Sequence, residues 1–321
     1  QLEENLKRSL QEIQKDISQT HVHMINYAIK HRHAYDRWKN ITNVMILKDP
    51  DNYKIHRLRI IHLFECDYNF FLGLKWKDAL HKAQKEKTLD DSQYGSRPGR
   101  CPQTVTLMEE LRLDYSQITR TPYVNMDCDA SSCYDRILLP IASLAGRGFG
   151  IHRNVIFIHA QTMEEAKYRL KTTHGISKDF YQHCVKFPLH GSGQGSGNSP
   201  VIWCFISCKL FQAYDIHSHG ITFSSPAGDI SLRISILGFV DDSTCITGGI
   251  PGGTLKNLLE RMESDAQLWN DLLWSSGGKL ELPKCSYHVV YYDFESSGIP
   301  VVRHSHDYSL TLKDINNKGI P

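Results

Sequence analysis

The feature that most restricts the fold is a pair of apolar runs meeting at two aspartates. Ile234, Ile236 and Leu237 lead into Phe239-Val240-Asp241-Asp242, and Cys245, Ile246 and Thr247 follow. Short apolar runs joined by a tight polar turn describe an antiparallel hairpin, which places both carboxylates at its tip. Adjacent side chains on an extended chain point to opposite faces, so one of the pair aims into a site while the other lies behind or beside it. Asp241 is the first choice for the inward one. Asp-Asp-Ser is also ordinary turn chemistry, so the neighbourhood matters. A second acidic cluster, Asp127-Cys128-Asp129, ends the expected strand Tyr123–Cys128. A strand end beside a hairpin tip lets carboxylates from separate strands converge on Mg2+, which takes hard oxygen ligands. Two such ions, about 3.5–4 Å apart, clamp the attacking and departing oxygens of a phosphoryl transfer. Without metal the gathered carboxylates repel one another and their pKa values rise.

Elsewhere Leu2, Leu6, Leu10, Ile13 and Ile17 recur at steps of three and four, the pattern of an amphipathic helix. Between Met45 and Leu74 short apolar runs broken by Asp49-Pro50-Asp51-Asn52 suggest a strand hairpin, flanked by Lys48, Lys54, Arg57 and Arg59. Helices are expected at Trp76–Lys87, Thr104–Ile118, Arg153–Lys171, Ser199–Ile216 and Leu255–Leu273, a Gly/Arg/Pro-rich loop at Gln93–Pro102, and a strand at Tyr287–Tyr292. Strands separated by helices, with one tight hairpin among them, predict an α+β fold: an antiparallel sheet with helices on one face.

The 321 residues are 40% hydrophobic, enough for a sizeable core. A formal net charge of +2 argues against a purely electrostatic nucleic-acid binder. Nine cysteines, scattered and without a C-x-x-C pair, read as reduced and intracellular. No run reaches the roughly 18 apolar residues of a membrane span, so a soluble chain with no membrane partner is expected; starting at Gln1 without Met, it reads as a fragment. The histidine pairs His21/His23, His31/His33 and His304/His306 lack partner cysteines in range and are not read as zinc ligands.

Three blocks in order resemble those of reverse transcriptases: Asp129-Ala-Ser-Ser-Cys-Tyr134-Asp135, Gln194-Gly-Ser-Gly-Asn-Ser-Pro200 and Phe239-Val-Asp-Asp242. Arg59-Ile60-Ile61 resembles the basic fingers strand. Gln93-Tyr-Gly-Ser-Arg-Pro-Gly-Arg100 resembles the Q-x-G-F-R-x-G-R segment of non-LTR retroelement and group II intron enzymes, with Ser96 in place of the aromatic. Gly278-Lys279-Leu280 through Lys284-Cys285 resembles the later palm block. The resemblance implies a right-hand polymerase: an N-terminal helical extension over 1–40, fingers over 41–122, palm over 123–294, and over 295–321 the start of a thumb, which is partial or absent.

It further implies an RNA-directed DNA polymerase that takes an RNA template, a DNA primer or RNA–DNA hybrid and dNTPs, using two Mg2+ ions with Mn2+ as a substitute. Asp129, Asp241 and Asp242 would be catalytic metal ligands, with Asp127 a neighbour. Tyr134 would be a steric gate against the ribose 2′-hydroxyl. Arg59 would grip the triphosphate, Gln194 brace the nucleotide, and Lys284 act near the pyrophosphate. Arg97 and Arg100 would hold template phosphates, and Gly195 would let the backbone approach the template closely. The rival readings are an RNA-templated RNA polymerase and a non-catalytic, maturase-like RNA binder that keeps the fold.

Overall fold

The computed structural model describes residues 2–48, 50–54, 58–186, 188–250, 253–305, 310–314 and 318–320. Asp49 of the expected turn, Arg57 and His306 lie outside these. In chain order the elements begin with α1 (Leu2–His31), β1 (Asn40–Leu47), β2 (Leu58–Leu63), α2 (Cys66–Lys85), α3 (Pro102–Thr119), β3 (Tyr123–Cys128), α4 (Cys133–Arg136), α5 (Leu139–Gly148) and α6 (Arg153–Glu164). There follow β4 (Lys167–Thr172), β5 (Gly175–Ile176), β6 (Tyr181–Gln182), α7 (Ser199–His217), β7 (Ile221–Ser224), β8 (Ser231–Ile234), β9 (Ile236–Phe239) and β10 (Asp242–Gly248). The last are α8 (Leu255–Ser275), a 3-10 turn at Leu282–Lys284, β11 (Ser286–Phe294), β12 (Pro300–Ser305), β13 (Leu312–Lys313) and β14 (Gly319–Ile320).

The chain forms two compact units. The first comprises Gln1–Ala79, Gly146–Leu189 and Gly193–Asn198. Its sheet runs β2-β1-β4-β5, with β6 also on β4; β1 pairs antiparallel with β2 and parallel with β4. The expected strand hairpin forms, as β1 and β2, but two expected boundaries move. The strand hairpin stops at Leu63 and α2 starts at Cys66, because Asp67 anchors the helix start by accepting the Trp38 indole N–H at 3.1 Å and its neighbour's amide, Tyr68 N, at 2.9 Å. The helix expected over Arg153–Lys171 ends at Glu164, and Lys167–Thr172 is strand β4. Its Lys-Tyr-Arg-Leu-Lys alternation buries Tyr168 beside Ile41 and Ala166 while Lys167, Arg169 and Lys171 stay exposed, a period of two that a helix cannot accommodate.

The second unit comprises Leu80–Ala145, His190–Ser192 and Ser199–Pro321. Its sheet, β12-β11-β3-β10-β9, is antiparallel throughout. Strand β3, expected at Tyr123–Cys128, forms over those residues, and its side chains divide by alternation. Val124 packs with Leu258 and Met262 of α8, whereas Tyr123 joins Tyr94, Leu237 and Ile246 with Val105 and Met108 of α3 against them. Helices α7 and α8 thus cover one face, with Phe211 of α7 so close to Gly238 that any Cβ there would stand 2.4 Å from the ring. The Tyr123 face is covered at its start and carries Asp127 and Asp129 at its end. All nine cysteines are free. Among the described residues no helix is long and apolar enough to cross a membrane.

Candidate active site

The double aspartate forms the expected hairpin. Asp242 pairs with Phe239, leaving Val240-Asp241 as a two-residue loop, and such loops require positive φ. Val240 adopts φ +61°, a conformation that costs a β-branched residue on the order of 1–3 kcal/mol. Surrounding contacts hold it there. Gln93, fully buried, clamps both backbone groups of Val240: its Oε1 accepts the Val240 N–H at 3.2 Å and its Nε2 donates to the Val240 carbonyl at 3.1 Å. The same side chain donates to Ser207 Oγ at 2.8 Å and accepts from Gly95 N at 2.7 Å. The Trp203 indole N–H donates to the Val240 carbonyl at 2.5 Å. Gly95 abuts the loop so tightly that a Cβ would fall 2.0 Å from Val240 N. Ser92–Tyr94 completes the frame by hydrogen bonding to Gly238 on both sides. Neither Gln93 nor Trp203 has a role in the sequence reading; a glutamine two residues before a glycine gives no local sign of a partner 147 positions away.

Strand register brings the second acidic cluster to the hairpin. Ser243 lies opposite Cys128 and Thr244 opposite Asp127, so one step further sets Asp242 beside Asp129. Thr244 Oγ1 donates to Asp127 at 2.8 Å, which engages that carboxylate and leaves Asp129 for the site. Asp242, on the strand, shares the Asp127–Asp129 face, while Asp241 sits in the turn. Partial burial, then the charges of Asp241 and Asp129, push the Asp242 carboxyl above its usual range, and Lys284 offsets part of this. The field of Asp241 also reaches Tyr134 and Cys133.

Lys284 Nζ stands 2.7 Å from Asp129 Oδ2, and that hydrogen bond holds its pKa above the ordinary lysine value. The backbone arrangement explains the meeting. Ala130 bridges to Leu280 and Glu281 N donates to Asp129 O at 2.9 Å, whereas the pairing resumes at Ser286 opposite Asp127. Residues 282–284 are thus looped out between two paired stretches, arching over Asp129.

Asp242→Asn should therefore stabilise the metal-free protein at neutral pH. A carboxyl whose pKa is raised on folding favours the native state when protonated, and that advantage is lost as pH rises through the raised value. Thermal melts should show the variant ahead at pH 7 and level with wild type only once pH falls below the ordinary aspartate value of 3.8, and addition of Mg2+ should favour wild type. Equal melting across this range would remove the repulsion.

Other expected site residues fall variously. Tyr134 lies on α4, half-buried, and burial pushes its hydroxyl pKa further above the usual tyrosine value; its carbonyl accepts Ser192 N at 2.9 Å. Arg97 does not present itself to a phosphate. Its side chain is 3% exposed, donating to Gln84 at 2.9 Å, to the Gln93 carbonyl at 2.9 Å and to the Asp90 carbonyl, so it builds the loop that carries Gln93. Arg100 lies over the Tyr94 ring and donates to Asp91 at 2.7 Å, with part of its side chain exposed. Arg59, Gln194 and Gly195 belong to the first unit. Arg59 is exposed on β2 opposite Ile46. The Gln194 carbonyl accepts His62 N at 2.6 Å. Gly195 has φ +112°, and a Cβ there would stand 2.3 Å from the His62 carbonyl, so β2 itself demands this glycine.

Among the described residues no three His, Cys, Asp or Glu side chains are gathered into a metal cage. Mg2+ needs no such cage, since it keeps waters and takes one or two carboxylates together with substrate phosphates. The oxygen donors of Asp129, Asp241 and Asp242 fit that description; burial first, and then the charges of Asp241 and Asp129, raise the Asp242 pKa, and a cation would relieve the second part.

No family model and no curated protein matches this chain. Among solved structures it is similar to apo telomerase from Candida tropicalis truncated from the C-terminal domain, with 14% identity and a TM-score of 0.50 over 82% of this chain and 54% of that one. It is likewise similar to telomerase from Candida tropicalis in complex with a TWJ fragment of telomeric RNA, with 15% identity and a TM-score of 0.50 over 87% and 45%. The chain thus spans about half the length of these structures. An antiparallel sheet with helices packed on it, matched over most of the chain to these telomerase structures, gives this protein an α+β palm fold like theirs.

Proposed function

We propose that this chain is a reverse transcriptase, extending a primer along an RNA template by deoxynucleotidyl transfer with two Mg2+ ions. The observation that carries the reading is the meeting of Asp242 and Asp129 on one face of the palm sheet, with Asp241 in the clamped turn beside them. The Gln93–Arg100 segment supports a mobile element of non-LTR or intron type, and an RNA partner accords with the neighbour solved with telomeric RNA.

In this reading Asp129, Asp241 and Asp242 offer the carboxylate oxygens that hold the metal. When bound, the ions supply Lewis-acid stabilisation of the attacking 3′-hydroxyl and the departing pyrophosphate. Lys284 neutralises Asp129 in the absence of substrate. Once that carboxylate is engaged elsewhere, its protonated Nζ is available to the pyrophosphate as charge donor or general acid. Tyr134, uncharged, excludes a 2′-hydroxyl with its ring. Arg59 and Gln194 are assigned to the nucleotide, and Gly195 and Arg100 to the template, by motif; Arg97 supports the hairpin clamp instead.

The test is primer extension on a heteropolymeric RNA template with dNTPs and Mg2+. Extension is expected, and its absence from folded, RNA-binding protein would reject the enzyme. Tyr134→Ala should narrow the dNTP-to-NTP preference by about 10–200-fold, the range that a change in pocket shape commands. An unchanged ratio would remove the gate.

A further inference from the structure

Three thiols lie under the catalytic strand, outside the chemistry described above. Cys128 is buried and in contact with both Cys245 and Cys285, of which Cys285 is partly exposed. Register separates the two candidate pairs. Ser286 lies opposite Asp127, so one further step sets Cys285 across from Cys128. Directly opposed residues have Cα atoms about 4.5–5.5 Å apart, inside the roughly 4.4–6.8 Å that a disulfide spans. Cys245 lies opposite Met126 and is thus diagonal to Cys128, at about 7–8 Å, too far without backbone movement. Both Cys128 and Cys285 also line one cavity of about 170 Å³, with Met126, Leu280, Leu282 and Tyr287 among its walls, which gives their side chains room to rotate.

We propose that Cys128 and Cys285 are a redox modification site, closed to a disulfide by a small-molecule disulfide such as glutathione disulfide. The Cys285 thiolate attacks one glutathione sulfur and expels a glutathione thiolate, which takes up the proton that Cys285 gave. Cys128 loses its proton and attacks Cys285 Sγ, expelling the second glutathione. Two protein thiols are oxidised and one glutathione disulfide is reduced to two glutathiones. The new bond ties the root of the 282–284 loop to β3, so Lys284 stays on Asp129 and that carboxylate is withheld. This last consequence rests on the proposed polymerase reading; the bond itself does not.

The full-length chain would be equilibrated with glutathione disulfide under native conditions, its remaining thiols alkylated, and its peptides mapped by mass spectrometry. A Cys128–Cys285 crosslink lighter by two hydrogens is expected, with primer extension lowered at least tenfold and restored by dithiothreitol. Cys285→Ser should extend like reduced wild type and be indifferent to the oxidant. A lasting glutathione adduct on Cys285, a crosslink to Cys245, or a Cys128–Cys285 bond that leaves extension unchanged would each overturn the proposal. If reduced wild type does not extend at all, the polymerase reading fails while the peptide map still decides the pairing.

Discussion

Asp241→Ala and Asp129→Ala should each abolish primer extension while leaving RNA binding intact. Metal-borne stabilisation of transition-state charge is worth several kcal/mol, and each 1.36 kcal/mol is tenfold in rate, so the loss should be on the order of a thousandfold or more. Asp127→Ala is the informative contrast. That carboxylate is engaged by Thr244, so its removal should cost far less activity although it lies two residues from Asp129. Steady-state extension rates with filter binding of the same RNA would check all three. Normal extension by either of the first two variants would sink the site, and an Asp127→Ala defect equal to that of Asp129→Ala would mean that the assignment within the cluster is reversed.

Gln93→Ala should have the next largest effect, through position rather than chemistry. The substitution leaves the Val240 and Gly95 amides without their acceptor, and a buried unsatisfied donor costs about 1–3 kcal/mol. The Val240 carbonyl keeps the Trp203 indole, so the hairpin should persist but relax from its strained turn. Lower thermal stability is expected, with a primer-extension rate that needs more Mg2+ for half-saturation because Asp241 and Asp242 are no longer held in place. Assayed well below its melting temperature, a variant with wild-type Mg2+ dependence would make Gln93 a purely structural residue. Wild-type melting as well would mean that the clamp contributes nothing.

The elements that alternation and turn chemistry describe came out as expected. Strand β3, the hairpin at Asp241-Asp242, and the apolar helix from Ser199 all rest on patterns a few residues long. Misplacements arose where local patterns compete. Lys167–Thr172 follows a helix without a glycine or proline to mark the break, and its short period-two alternation is easily merged with that helix until pairing with β1 sets it apart. Arg97 was read outward, toward nucleic acid, whereas the folded chain turns it inward to support its own loop.

By itself the sequence determined which carboxylates exist, which strand ends carry them, and that one tight turn joins two of them, because these follow from side-chain period and loop length. Tertiary structure alone decided what surrounds them: Gln93 at the back of the turn, Lys284 on Asp129, Thr244 on Asp127, Cys285 across from Cys128. All of these partners lie more than a hundred residues apart along the chain. Hydrogen bonds, charge pairs and thiol contacts act over a few ångströms of space, so nothing in the local pattern of either partner records the other.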